Sequence, residues 1–149
     1  MKKILISVCC VVICIGIIYV MSTSHTVSIV SYNTKQVVLG NTPYTLEVAD
    51  TDLLREKGLS YRPSLDRQTG MLFVFTVPGI VRFWMKDMNF PIDIIWLDTD
   101  KKVVYIEHSL LPSTYPMSFG PEIPTQYVIE IPAGDAVKVG LTVGDIVSF

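Results

Sequence analysis

Cysteine and histidine are scarce in this chain of 149 residues, and their positions exclude several kinds of site. All three cysteines, Cys9, Cys10 and Cys14, lie near the N-terminus. From residue 25 onward the chain can therefore form no disulfide, offers no thiol nucleophile and cannot build a cysteine-ligated zinc site. His108 is the one histidine beyond the linker-like His25, and a single histidine without a G-x-S-x-G motif does not indicate a catalytic triad.

Motifs for metals and nucleotides are also missing from the sequence. It contains no EF-hand loop, no histidine-rich tract and no phosphate-binding glycine loop, so we predict no metal and no cofactor. Methionine-based copper binding stays open as an alternative, because thioethers are soft ligands that suit Cu(I). Met88 and Met117 are the freer pair, whereas Met71 and Met85 lie in apolar sequence that core packing explains.

Basic residues do not dominate the charge of the chain. It has 12 Lys and Arg against 14 Asp and Glu, a formal net charge of −2 and a pI near 5.6. Nucleic-acid-binding domains usually show a clustered basic face, so we expect no nucleic-acid partner. Half of the residues are hydrophobic, which excludes a disordered chain.

Charged residues are absent from Ile4 to Met21. As a helix this run would span roughly 27 Å, close to the hydrocarbon core of a membrane at about 30 Å. Lys2 and Lys3 precede it and should remain in the cytoplasm. We therefore predict a signal anchor or signal peptide at residues 1–24, with the long apolar run favouring an uncleaved anchor. The expected location is the cell membrane, with a single pass, a cytoplasmic N-terminus and an extracytoplasmic domain, or a secreted or periplasmic protein if the segment is cleaved.

Alternation and turn signals predict short strands in the remaining chain. Apolar and polar residues alternate from Tyr44 to Ala49, and residues 71–75 form a bounded apolar run, both typical of strands. Asp50 or Thr51 can cap a short helix that runs to Lys57 and ends at Gly58. Residues 26–30 and 35–39 are short β-type stretches, of which one is either a strand or a linker. Further strands are predicted at residues 82–85, 92–97, 103–107, 127–131 and 145–149, with 92–97 and 103–107 as a hairpin, and a second short helix is predicted at 133–139.

These elements predict a mainly-β fold, a compact barrel or sandwich of about 7–9 short strands with one or two short helices and an N-terminal transmembrane helix. The proposed division is an anchor or signal peptide at 1–24, a linker and possible first strand at 25–42, and a β domain at 43–149. A loop at residues 111–124 contains four prolines, which makes it either mobile or functional.

Several motifs in a fixed order carry a family resemblance. They are G-L-S-Y-R at 58–62, G-M-L-F-V-F at 70–75, F-W-M-K-D-M-N-F-P-I-D-I-I-W-L-D at 83–98, Y-V-I-E-I-P-A-G at 127–134 and V-G-D at 143–145. From residue 44 to 149 the chain resembles the DUF192 (UPF0127) family. The resemblance implies a compact mainly-β domain, often preceded by a signal or anchor, without an established biochemical activity. Asp87 stands where an Asn is usual in that family, and Ser60 where a Met is common.

Two carboxylates in apolar strands are candidates for a binding site. Asp93 lies between two isoleucines, as does Glu130, so each points to the opposite face from its neighbours. If both faces are covered, Asp93 needs a partner such as Lys86 or Arg62, either as a structural ion pair or as a polar patch at a pocket mouth. Glu130 would be solvated if it points outward and would need a partner if it points inward.

The remaining candidates are basic and aromatic. Arg62 could clamp an anionic ligand or pair with Glu56 or Asp66. We expect a ligand site formed by Arg62, Trp84, Lys86, Asp93 and Glu130, with Tyr61 as a further wall. The predicted function is a membrane-tethered, extracytoplasmic domain that binds a small ligand or an envelope component. The alternative is a hydrolase or lyase that acts on an envelope polymer through paired carboxylates such as Asp93 and Glu130.

Overall fold

The structure, a computed structural model, describes residues 31–149 of the chain. The predicted anchor at 1–24 and the β-type stretch at 26–30 lie outside these described residues. Tyr32–Phe149 packs as one unit. Within the described part of the chain, no helix is long and apolar enough to cross a membrane.

Eight strands and two short α-helices make up this unit, so the predicted mainly-β class is confirmed. In chain order the elements are β1 (Asn33–Leu39), β2 (Thr42–Ala49), α1 (Asp52–Lys57), β3 (Thr69–Gly79), β4 (Phe83–Trp84), β5 (Ile92–Leu97), β6 (Val103–Leu110), β7 (Ser118–Phe119), β8 (Thr125–Pro132) and α2 (Asp135–Lys138). A 3-10 turn at Pro112–Thr114 and the two-residue β7 lie in the proline-rich loop.

Six strands form the main sheet in the order β1-β2-β3-β8-β5-β6. All neighbouring pairs are antiparallel except β2 and β3, which run parallel. Parallel neighbours need a crossover, and α1 lies in the connection between them. Thr51 caps α1 by accepting the backbone N–H of Leu54, and Gly58 ends it at a φ of 49°, as the sequence predicts.

Both faces of the main sheet are covered. Along β5 the side chains alternate between two apolar clusters, with Ile95 and Leu97 in the first and Ile94 and Trp96 in the second. The first cluster also holds residues of β1, β2 and α2. The second lies towards the α1 region and the small β4–β7 sheet, because it contains Leu59, Met85 and the partly buried Phe83. A charged residue in the central strands β5 and β8 therefore enters an apolar layer on either face.

The C-terminal segment joins the two edges of the main sheet. Ser148 bridges to Val38 in β1, and Ile146 bridges to Lys102 just before β6. These are isolated bridges, so the predicted strand at 145–149 is not a continuous strand. Likewise the predicted helix at 133–139 is shorter in the structure, where it spans Asp135–Lys138.

Candidate functional site

A cavity of about 720 Å³ lies beside the second apolar cluster and is the candidate site. Three parts of the chain enclose it: α1 with the turn that follows it, the middle of β3, and the segment from Val81 to Met88. Glu130 reaches it from β8. A cavity of this size suits a small molecule, since ligand sites usually fall between about 300 and 1,000 Å³.

Aromatic and aliphatic side chains form most of the cavity wall. Phe73 and Phe83 meet edge to face with ring centroids 4.8 Å apart, and Phe83 meets the buried Trp96 in the same way at 6.0 Å. These contacts fix the wall, because edge-to-face pairs at such distances are favourable. At the rim, Trp84 contacts Tyr115 of the proline-rich loop at 5.7 Å and remains 52% exposed.

Three hydrogen bonds hold the rim on the α1 side to the segment after β4. The Tyr61 hydroxyl donates to the Asp87 carboxylate at 2.7 Å, and the Tyr61 backbone N–H donates to the Asp87 carbonyl at 2.8 Å. Ser60 donates its hydroxyl to the Lys86 carbonyl at 3.1 Å. The hydrogen bond that the Tyr61 hydroxyl donates to the Asp87 carboxylate raises the pKa of this hydroxyl above its ordinary value.

Two residues at this rim have left-handed backbone conformations. Tyr61 has a φ of 63° and Asp87 a φ of 58°. Asp and Asn tolerate this region better than other side chains, so Asp87 suits this conformation better than Tyr61 does. Non-glycine residues in this conformation carry strain that tends to occur at ligand sites.

Glu130 is the most unusual polar residue of the cavity. Its side chain is buried, with the residue only 4% exposed, and no described residue donates a hydrogen bond to its Oε2 atom. Burial raises the pKa of the Glu130 carboxyl to about 8, and the positive charge of Arg62 opposes this rise only in part. At neutral pH the carboxyl is therefore mostly protonated, and it can both donate and accept a hydrogen bond.

Four basic residues line the cavity against two acidic residues other than Glu130. The Arg55 guanidinium forms an ion pair with Asp52 and donates a hydrogen bond to the Val74 carbonyl. The Arg82 guanidinium forms an ion pair with Glu122 and donates hydrogen bonds to the carbonyls of Gly120 and Ser118. Lys57 and Lys86 form no ion pair with any described residue.

Lys86 lies close to the exposed aromatic rim. Its Nζ atom is 5.8 Å from the centroid of the Trp84 ring, within cation–π range. The side chain is exposed, so its ammonium group remains available to a second, anionic partner. Lys86 therefore presents, at the mouth of the cavity, an ammonium group that has no ion pair among the described residues.

Asp93 lies away from this cavity. It is fully buried, and its carboxylate accepts the backbone N–H groups of Ser109 at 2.7 Å, Gly134 at 3.0 Å and Ala136 at 2.8 Å. Its partners are thus backbone groups and not Lys86 or Arg62. The carboxylate ties the start of α2 and the end of β6 to β5, where the β5–β6 register shifts.

Asp93 and Glu130 lie on opposite faces of the sheet. Asp93 is paired across strands with Ile131, which belongs to the first apolar cluster. Glu130 is paired with Ile94 and Met71, which belong to the second. Directly paired residues share a face, so the two carboxylates cannot work as an acid–base pair on one substrate.

Arg62 forms an ion pair beside the cavity without lining it. Its two terminal nitrogens bind the two carboxylate oxygens of Glu47, each at 2.7 Å, and its guanidinium lies 5.5 Å from the ring centroid of Tyr32. The hydrogen bonds to Glu47 raise the pKa of Arg62. The partner of Arg62 is therefore Glu47 of β2 and neither Glu56 nor Asp66.

We expect Arg62→Ala to lower the free energy of unfolding by about 1–2 kcal/mol, because it removes a partly buried bidentate pair and leaves Glu47 without its donors. Urea unfolding of the full chain measures this loss. Arg62→Lys keeps the charge but not the planar fork, so it should recover less than half of the stability. Full recovery by lysine would show that the bidentate geometry contributes nothing.

The methionines and the histidine do not converge. Met71 and Met85 are buried in the core, Met88 lines the cavity, and Met117 is 61% exposed. His108 is exposed near the end of β6. Among the described residues no group of three or more His, Cys, Asp or Glu side chains is placed to hold a metal ion.

Sequence reasoning did not find the cavity wall on the α1 side or the role of Phe73 and Phe83. Phe73 is an ordinary buried strand residue in the sequence pattern, and Phe83 precedes the more conspicuous Trp84. Only the positions of α1 and β4 around the sheet make them neighbours of one cavity. Trp84, Lys86 and Glu130 are brought together there, as is Tyr61, whereas Arg62 and Asp93 are not.

Comparisons with known proteins place the chain in a family. Among curated proteins, none matches it. A solved structure from Sinorhizobium meliloti 1021, named a "putative transcription regulator", is 29% identical with a TM-score of 0.75 and covers 80% of this chain and 95% of its own. A protein of unknown function from Novosphingobium aromaticivorans DSM 12444 is 30% identical with a TM-score of 0.71 and covers 84% of this chain and 90% of its own. The DUF192 family model, described as "Uncharacterized ACR", matches residues 34–149, and the chain therefore belongs to the DUF192 family.

Proposed function

We propose that this protein is a small-ligand-binding module and that the ligand enters the cavity between α1, β3 and β4. The observation that carries the proposal is the Glu130 carboxyl, which is buried at this cavity with an Oε2 atom that no described residue satisfies. A buried polar atom without a partner is costly, and native proteins retain few of them. A ligand that supplies the missing hydrogen bond would repay that cost.

The shape and chemistry of the cavity also support a binding role. Its wall is mostly apolar and aromatic, and its few polar groups converge from different elements, which is the usual composition of a small-molecule site. We favour binding over hydrolysis or lysis by paired carboxylates because Asp93 and Glu130 lie on opposite faces of the sheet.

For the whole chain we propose a tethered form of this module. The uncharged run from Ile4 to Met21 would anchor it in the cell membrane, and Lys2 and Lys3 would keep the N-terminus in the cytoplasm. The cavity would then face the extracytoplasmic side and serve a small ligand or an envelope component. We propose no nucleic-acid partner, since the net charge of −2 gives no general attraction to phosphates.

Binding of 8-anilino-1-naphthalenesulfonate (ANS) tests this function. The probe is an aromatic anion that fluoresces in apolar sites, and we expect one saturable site on the full chain in lipid nanodiscs, with empty nanodiscs as the blank. Trp84→Ala should weaken the affinity about tenfold, because it removes an exposed aromatic wall of the cavity. Ile146→Ala, which removes an apolar side chain outside the cavity that is more exposed than Trp84, should not change the affinity.

The proposed function fails if the full chain shows no saturable ANS site above the nanodisc blank. It also fails if Trp84→Ala and Ile146→Ala bind the probe equally well, since the probe would then report general surface hydrophobicity and not this cavity.

A further inference from the structure

We infer that the cavity takes an amphipathic anion whose apolar body packs on the aromatic wall, whose acidic group meets Lys86 at the mouth, and whose inner end carries a neutral hydrogen-bonding group for Glu130. This inference rests on the proposed binding function and names its ligand class. It follows from the different chemistry of the two ends of the cavity.

The inner end favours a neutral polar group. Glu130 is only 4% exposed, and its Oε2 atom has no hydrogen-bond partner among the described residues. Its cross-strand neighbours Met71 and Ile94 belong to the second apolar cluster. Its carboxyl is mostly protonated at neutral pH, so a hydroxyl or amide of the ligand could donate to it and accept from it at once. An ammonium group would require the carboxyl to ionise in this apolar layer, which is unfavourable.

The outer end favours an anion. Charged groups around the cavity come from α1 and its flanks as Arg55, Glu56 and Lys57, and from the β4 side as Arg82, Lys86 and Asp87. Both arginines already have carboxylate partners, and Asp87 is engaged by Tyr61. Lys86 is exposed and has no ion pair among the described residues, so it is the cation best placed for a ligand that lies along Trp84.

The middle of the cavity favours an apolar connection between these ends. Its wall is formed by rings and aliphatic side chains, and each buried methylene of a ligand would gain about 0.8 kcal/mol. A ligand with one polar end would satisfy either Lys86 or Glu130 but not both. We therefore expect a chain or ring system with an acid at one end and a hydroxyl or amide at the other.

Displacement of ANS by a homologous series of simple amphiphiles tests this class. At the best chain length, the ω-hydroxyalkanoate should bind about tenfold tighter than the plain alkanoate, because it adds one net hydrogen bond inside the cavity. The alkylammonium ion of the same length should bind at least about tenfold more weakly than the alkanoate, because it meets Lys86 with the wrong sign.

Variants at the two ends of the cavity distinguish ligand binding by Glu130 and Lys86 from a purely structural role of these residues. Glu130→Leu should abolish the advantage of the ω-hydroxyl group, while Glu130→Gln, which is neutral and can still donate and accept, should retain it. Lys86→Met should weaken both anions by about the same several-fold factor and relieve the discrimination against alkylammonium. Lys102→Met removes an exposed lysine outside the cavity and should leave all affinities unchanged.

The inference is overturned if alkylammonium binds tightest, if the ω-hydroxyl group gives no gain, or if none of the series displaces a bound ANS molecule. In those cases saturable ANS binding would still support the proposed function. Absence of saturable ANS binding would instead overturn the function itself.

Discussion

Asp93→Ala is expected to lower the free energy of unfolding by about 3–5 kcal/mol, while leaving ligand affinity unchanged in the fraction that folds. The substitution leaves the backbone N–H groups of Ser109, Gly134 and Ala136 without their acceptor; the first two sites are part-buried and the third is buried. Each buried donor that loses its partner costs about 1–3 kcal/mol, and relaxation of the loop before α2 should reduce the sum. Urea unfolding of the full chain measures the loss.

Two further substitutions test whether the lost stability of Asp93→Ala comes from its hydrogen bonds to the backbone. Asp93→Asn keeps one acceptor oxygen but turns an amide group towards a backbone donor, so we expect an intermediate loss. Asp100→Ala removes an exposed carboxylate from the β5–β6 turn and should change stability by no more than about 0.5 kcal/mol. A loss below about 1 kcal/mol for Asp93→Ala, or a folded variant that no longer binds ANS, would contradict the structural role.

The second large effect is a pH dependence of stability that originates at Glu130. Its carboxyl has a pKa of about 8 in the folded protein, raised by burial from an ordinary 4.5 and opposed in part by Arg62. Between these two values the folded state holds a proton that the unfolded state releases, so the free energy of unfolding falls as the pH rises. The stabilisation is complete below pH 4.5 and is lost by the time the pH passes 8, a total on the order of 5 kcal/mol.

Glu130→Gln should remove most of this fall, because the amide stays neutral throughout. Urea unfolding at several pH values between 4.5 and 9 compares the two slopes. Glu56→Gln, which neutralises an exposed glutamate of the same cavity, should keep the wild-type slope. Equal slopes for the wild type and Glu130→Gln would contradict the buried, protonated carboxyl.

Local signals were sufficient for much of the fold. The strand at 44–49, the Thr51 cap, the stop at Gly58 and the hairpin of β5 and β6 all appear in the structure, because each depends on neighbours in the sequence. The alternation of buried and exposed residues ends before Ala49, which is buried. The parallel pairing of β2 and β3 was not predicted, since it depends on how α1 crosses over. The C-terminal segment was predicted as a strand, but it contributes only single bridges that depend on both distant edges of the sheet.

In the candidate site, too, local sequence predicts some features, whereas others depend on distant parts of the chain. Asp93 and Glu130 have the same local pattern, a carboxylate between two isoleucines, and both are buried. Asp93 finds three backbone donors because the end of β6 and the start of α2 reach its face. No described residue donates to Oε2 of Glu130 on the other face, where a cavity lies. The alternation of residues along a strand shows which side chains share a face of the sheet, but it cannot show what packs on that face.

The most direct test of the account is a carbon-13 NMR titration of the Glu130 side-chain carboxyl in the full chain, with and without an ω-hydroxyalkanoate. We predict that the Glu130 carboxyl titrates near pH 8 without ligand and that its resonance shifts on ligand binding, whereas the resonance of Glu107, which lies outside the cavity, does not move with the ligand. A Glu130 carboxyl that titrates in the ordinary glutamate range, and whose resonance the ligand does not move, would contradict the claim that this residue is the buried polar end of a ligand site.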